Sequence, residues 1–216
     1  MALSQARACR DRAMSHHDGS QAVSQVLTEL EPIAIRTARP AVFITIPLSH
    51  YCEKARWGLD RLGLPYREQA HAPLLHRLAT TGKSAGGTVP VLLHGRHRLG
   101  DSTQILRYAD ACFGGDLLYP REAALRAVVE DLVQGFDKEL GVHSRRWAYA
   151  HLLSETKLLR AVWAQGLKPL QASLVPLIAP IAVRLVRSGY RVTPETARRS
   201  LDRVNAVFRG RRRRPG

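Results

Sequence analysis

Three short stretches of this sequence carry residue types that can do chemistry at their positions. Ser49 stands between an apolar run and the segment Tyr51-Cys52-Glu53-Lys54-Ala55-Arg56-Trp57. A residue placed where a strand hands over to a helix lies beside free backbone N–H groups, which with the helix dipole stabilise an anion, a thiolate included. The Ser49 hydroxyl can donate a hydrogen bond to the same sulfur, or it can simply cap the helix. Val89-Pro90 stands before a second apolar run. A cis bond there turns the Val89 backbone N–H and C=O toward a ligand that pairs as an added strand, although a trans proline at a strand edge is the commoner arrangement. Asp101-Ser102 opens a helical pattern. Helix N–H groups and the Ser102 hydroxyl suit an α-carboxylate and Asp101 suits an ammonium group, with ordinary N-capping as the alternative.

Cys52 follows Ser49 by three residues. This Ser-x-x-Cys spacing is a redox Cys-x-x-Cys motif without its attacking cysteine, and a small buried apolar side chain is the simpler reading. His94-x-x-His97 has no cysteine or carboxylate partner at ligand spacing, so no metal site is predicted. Trp147, Tyr149 and Trp163, with Arg145 and Arg146, either border an apolar ligand or pack in a core; packing is the prediction.

The elements that must position these groups follow from periodicity. Residues 41–46 (AVFITI) form a continuous apolar run, the mark of a strand buried on both faces. Cys52, Ala55, Leu59 and Leu62 then fall at helical spacing, and Gly63 marks the stop. Residues 65–70 read as a second strand, 71–80 as a short helix and 81–87 (TGKSAGG) as a loop. The segment 88–93 is a strand with proline near its start; a turn at His94-Gly95-Arg96 returns 97–99 as its partner. A helix with Ile105, Leu106, Ala109 and Phe113 on one face closes the unit. A helical crossover brings the second strand beside the first in parallel, and a hairpin completes a mixed sheet flanked by helices. Beyond Tyr119-Pro120 the pattern is helical throughout. The predicted segments are 122–140 (with Leu125, Val128, Val129, Leu132 and Phe136 in step), 146–159, 174–186 with its two prolines, and 193–208 opened by Thr193-Pro194.

Composition and charge restrict the function classes. The 216 residues are 45% hydrophobic and 24% charged, as in soluble globular proteins. Cys9, Cys52 and Cys112 form no disulfide framework, which predicts a reducing, cytoplasmic setting. No signal-peptide pattern opens the chain, and the longest apolar stretch, 174–183, is about half the roughly 20 residues of a membrane span, so none is predicted. The net charge of +15 belongs to one region: residues 141–216 hold sixteen basic and three acidic groups, whereas the rest is nearly balanced. Arg211 to Arg214 read as a solvated basic tail, and with no aromatic residues among them nucleic-acid binding is not expected.

In their order and spacing the segments SHYCEKARW, TVPVLL and LGDSTQILRYAD resemble the N-terminal domain of the glutathione S-transferase superfamily over residues 42–113. The resemblance implies a thioredoxin-like α/β domain at 41–118 after an extension at 1–40 that reads as disordered, with one short helix at 21–30. An all-α domain at 119–208 and the basic tail at 209–216 follow. It implies glutathione as cosubstrate, no metal, a hydrophobic electrophilic small molecule as second substrate, and a homodimer. By position, Ser49 matches the catalytic residue and Val89 with a cis Pro90 the backbone clamp on the cysteinyl part of glutathione. Asp101 and Ser102 match the γ-glutamyl site, and Lys83 more loosely a contact to the glycyl carboxylate. Serine where some relatives carry cysteine favours conjugation over disulfide exchange. A non-catalytic glutathione- or protein-binding module and a thiol reductase acting through Cys52 are the alternatives. The family's helical domain has five or more helices, one opened by a Ser/Thr-x-x-Asp capping box. That motif is missing after Pro120, so the second domain is expected to be incomplete.

Overall fold

Strand β1 (Ala41–Thr45) is buried along nearly its whole length, as its unbroken apolar run requires. Helix α1 (His50–Leu62) follows, and its buried face is Cys52, Ala55, Gly58, Leu59 and Leu62. It stops where expected, at Gly63 with φ +68°. Strand β2 (Tyr66–Ala70), the short helix α2 (His76–Thr80) and a single 3₁₀ turn (Ala85–Gly87) lead to the hairpin of β3 (Val91–His94) and β4 (His97–Leu99). Helix α3 (Ser102–Ala109) runs on into a π-helical turn (Asp110–Gly114). These coordinates, a computed structural model, describe residues 40–212. The extension 1–39, with the helix predicted at 21–30, and the last four residues lie outside the described residues.

The strands form one mixed four-stranded sheet in the order β2-β1-β3-β4. β1 is antiparallel to β3, pairing Val42 with Leu93, Phe43 with Leu92 and Ile44 with Val91. β3 is antiparallel to β4, with Leu92 opposite Leu99 and His94 opposite His97. The edge strand β2 (YREQA) is polar and partly exposed, which discourages further strand pairing. Its Glu68 nonetheless does structural work. Thr45 Oγ1 donates to Glu68 Oε1 at 2.6 Å, and Arg56 reaches the carboxylate through Nε (3.1 Å) and Nη2 (2.5 Å), bracing α1 against the sheet edge.

The chain divides into two compact units. The sheet unit includes Tyr51–Gln69 and Arg77–Ala123 with β1; the helical unit comprises Ala124–Gly216 and two connectors, Ile46–His50 and Ala70–His76. Five α-helices follow residue 120 among the described residues: α4 (Ala123–Gly135), α5 (Val142–Leu152), α6 (Thr156–Ala164), α7 (Pro169–Gly189) and α8 (Pro194–Arg212). A π-helical turn at Phe136–Gly141 joins α4 to α5. The core of the helical unit is Leu153, Leu159, Trp163, Val175, Ala179 and Ala182, with Ala72 from the second connector. Gln171 secures that connector: its Oε1 accepts from the Ala72 N–H at 3.0 Å and its Nε2 meets His71 Nδ1 at 3.1 Å.

Several predicted elements are revised. The single helix expected at 146–159 is two, because Leu153-Ser154-Glu155 leaves the helical path. Ser154 Oγ donates to the His151 carbonyl at 2.8 Å, and Glu155 adopts φ −87°, ψ 67°. The stripe in α4 is not buried: Leu125 and Val128 are 52% and 55% exposed. Helix α7 is 21 residues long rather than the predicted thirteen. It starts at Pro169, where a proline suits the first helical position, and continues through Pro176 and Pro180. By length and composition it alone among the described helices could cross a bilayer, where the sequence run predicted no span. Helix α8 begins as expected, with the Thr196 N–H donating to Thr193 Oγ1 at 3.1 Å, but it extends to Arg212, into the segment read as a tail.

Candidate functional site

The head of α3 is the best-defined part of the site. Asp101 is extended (φ −141°, ψ 142°), and its Oδ1 accepts from the backbone N–H of Thr103 at 2.8 Å and of Gln104 at 3.1 Å. The side chain is therefore an N-cap, which was the plainer of its two sequence readings, and neither bond uses Oδ2. Asp101 is exposed, whereas Ser102 beside it is buried. Lys54 of α1 brings an ammonium group to the same helix end, donating from Nζ to Thr103 Oγ1 at 2.8 Å. Anionic and cationic groups thus flank one helix N-terminus, an arrangement able to hold a group with both an ammonium and a carboxylate. Sequence reasoning missed Lys54. It is 49 residues from its partner, and no spacing rule connects them.

Gly100 sets the approach of this helix end to the 81–88 loop. A Cβ on Gly100 would lie 2.7 Å from Ser84 Cβ and 3.1 Å from Ser84 Cα, so only glycine allows this closeness. Within the loop, Ser84 Oγ donates to the Thr88 carbonyl at 2.8 Å. Lys83, half-buried, donates from Nζ to the Ala79 carbonyl at 2.7 Å, the end of α2. The Val89–Pro90 peptide is cis, the isomer the family pattern calls for. Val89 is half-buried and Pro90 buried, one residue before β3 joins the ladder at Val91.

Ser49 immediately precedes α1 and is half-buried. It belongs to the connector Ile46–His50, which clusters with the helical unit, whereas Lys83, Val89, Pro90, Asp101 and Ser102 all belong to the sheet unit. Cys52, in the first turn of α1, is 0% exposed and packs as a small apolar side chain. His94 and His97 lie against Tyr108, His94 Nδ1 being 2.7 Å from the Tyr108 hydroxyl. Burial, then the neighbouring His97, holds the His94 pKa below the usual imidazole value. For Glu68, burial pushes the pKa up, but the hydrogen bonds from Arg56 and Thr45 prevail and keep it below the usual carboxylate range.

The aromatic residues of the helical unit separate into two roles. Trp163 is core. Tyr149 stacks on Tyr190 at 5.8 Å, and Arg145 lies 4.1 Å over the Tyr190 ring. Burial, then the Tyr190 hydroxyl, raises the Tyr149 pKa to about 12. Trp147 and Tyr149 also line a cavity of about 490 Å³ with Leu153, Arg187, Arg198 and Leu201.

Comparison with known proteins bears on the sheet unit most directly. The sequence model of the glutathione S-transferase N-terminal domain matches residues 43–116. Among solved structures, a glutathione transferase from Phanerochaete chrysosporium is similar with a TM-score of 0.50 at 17% identity, over 78% of this chain and 70% of that one. An unclassified glutathione S-transferase from Bombyx mori (TM-score 0.46, 17% identity, 77% and 97% covered) also matches. So does a Tau-class enzyme from mango, Mangifera indica (0.43, 13% identity, 78% and 88% covered). At these identities a likeness speaks for fold alone. No curated protein matches the sequence. Residues 43–116 of this chain thus match the glutathione S-transferase N-terminal domain, in a thioredoxin-like sheet unit that a helical region follows.

Proposed function

We propose that the protein binds glutathione on the sheet unit and conjugates its thiolate to an electrophilic small molecule. The observation that carries this reading is the head of α3, within the segment matched to the glutathione S-transferase N-terminal domain. There Asp101 keeps Oδ2 outside its capping bonds, and Ser102 with the helix N–H groups forms an anion site. The γ-glutamyl ammonium bonds Asp101, and its α-carboxylate takes the helix end. Val89 supplies backbone donor and acceptor to the cysteinyl part, and Lys83 can turn from the Ala79 carbonyl to the glycyl carboxylate.

In the reaction, Ser49 and the start of α1 lower the thiol pKa of glutathione, each unit being worth about 1.4 kcal/mol of thiolate preference. The thiolate forms a carbon–sulfur bond, the leaving group departs with its electron pair, and the thiol proton passes to solvent. The nucleophile belongs to the cosubstrate, so the chain supplies binding and electrostatics. A thiol-reductase mechanism would need Cys52 Sγ to reach a disulfide, and full burial opposes that.

The test is Ser49→Ala assayed with a chloronitrobenzene electrophile, with the pH dependence of turnover recorded. The expected result is a turnover loss of about tenfold or more, with the apparent thiol pKa moved up by about one unit. Unchanged turnover and an unchanged pH profile would remove Ser49 from the mechanism. Retention of the wild type on immobilised glutathione without turnover of any electrophile would leave a binding module instead.

A further inference from the structure

Helix α7 has a composition that the fold does not explain. It is long and strongly apolar, yet only 17% of its most apolar 18-residue window is buried. Val175, Ala179 and Ala182 face the core of the helical unit. On the opposite side Leu170, Leu177, Ile181 and Leu185 are exposed, Leu170 and Leu177 by about three quarters (75% and 73%). At 100° per residue these four side chains fall within one sector of about 80°, and they extend along about 22 Å of helix axis. A ridge of large exposed aliphatic side chains of this kind marks an interaction surface.

Charge identifies the partner. Helix α7 contains no acidic residue; Arg184 and Arg187 lie along one flank of the ridge, and Lys168 precedes its start. Both arginines are exposed. Around them, residues 141–216 carry sixteen basic and three acidic groups. A second copy of such a strongly cationic region would be repelled from this face, whereas an anionic bilayer would be attracted. We infer that the α7 ridge lies in the plane of an anionic lipid surface, with Leu170, Leu177, Ile181 and Leu185 among the acyl chains and Arg184, Arg187 and Lys168 at the headgroups. Attachment of this kind is peripheral: the buried side of α7 keeps its protein contacts, and the helix does not span.

The full chain is tested by flotation with phosphatidylcholine vesicles containing or lacking 30% phosphatidylglycerol. The expected result is binding to the anionic vesicles only, weakened about tenfold or more by 0.5 M salt or by Arg184→Gln/Arg187→Gln. Leu177→Asp/Ile181→Asp should abolish it while leaving the circular dichroism and the melting temperature of the free protein unchanged, since both side chains are exposed. Leu177→Ser gives a milder change at the same place and should weaken binding several-fold. Three results would overturn the inference. One is no binding of the wild type to anionic vesicles. Another is vesicle binding insensitive to the Leu177 and Ile181 substitutions, which would assign it to the basic C-terminal segment. The third is a concentration-dependent dimer that these substitutions dissolve, which would give the ridge to a second copy.

Discussion

The two readings of Asp101, helix cap and ligand contact, are separated by replacing it in two ways. Asp101→Ala removes the acceptor for the Thr103 and Gln104 N–H groups, now bonded at 2.8 and 3.1 Å. Loss of a cap costs about 1 kcal/mol, or roughly 4 °C in melting temperature for a unit of this size. Asp101→Asn keeps the capping oxygen, since asparagine is as good an N-cap as aspartate, but removes the negative charge. If Asp101 bonds the γ-glutamyl ammonium, loss of that charge-assisted hydrogen bond costs about 1.5–3 kcal/mol, an increase in glutathione Kd of roughly 10- to 150-fold. Calorimetric titration with glutathione, alongside thermal melting of the unliganded protein, reads both quantities. The asparagine variant should melt within about 1 °C of wild type and bind at least about tenfold more weakly. The alanine variant should lose on both counts. An asparagine variant that binds glutathione as tightly as wild type would refute the ligand role and leave Asp101 as a cap alone.

Two further outcomes follow from the sheet unit. Gly100→Ala places a Cβ against Ser84 Cβ and its backbone Cα, so the 81–88 loop must shift away from the head of α3; a destabilisation of about 1–3 kcal/mol is expected, with glutathione binding weakened in the same variant, and an unchanged melting temperature would show that the loop yields freely. His94 has a folded-state pKa below its unfolded value near 6.5, so the neutral ring is favoured by folding; its contribution is complete above pH 6.5 and is lost as pH falls through the folded pKa, whereas that of Glu68 persists until the pH drops below about 4.5. The melting temperature of wild type should therefore decline from pH 7 to 5 more steeply than that of His94→Gln, and parallel curves would exclude His94 as the source.

Much of the sheet unit was legible because its signals are local. The run Ala41–Thr45 fits a doubly buried strand, Gly63 suits a helix end, and His94-Gly95-Arg96 suits a hairpin turn. The same locality placed Ser49 and Asp101 at helix starts and Pro90 at a strand entry. The helical unit was read less well, since there burial depends on which faces meet, and periodicity gives a face without its partner. The stripe of Leu125 and Val128 looked like a core face and is exposed, while the helix read at 174–186 starts earlier, at Pro169, and runs to Gly189.

What the sequence by itself determined is thus the identity of the elements in the sheet unit and the residue types at their ends, because strand and helix periods and turn chemistry act over a few neighbours. Only the tertiary structure decided that Lys54 reaches Thr103 and that Glu68 is held by Arg56 and Thr45. It alone showed that α7 turns a row of large aliphatic side chains outward. Each of these joins or exposes groups distant along the chain, and proximity of that kind arises from packing, which no local pattern encodes.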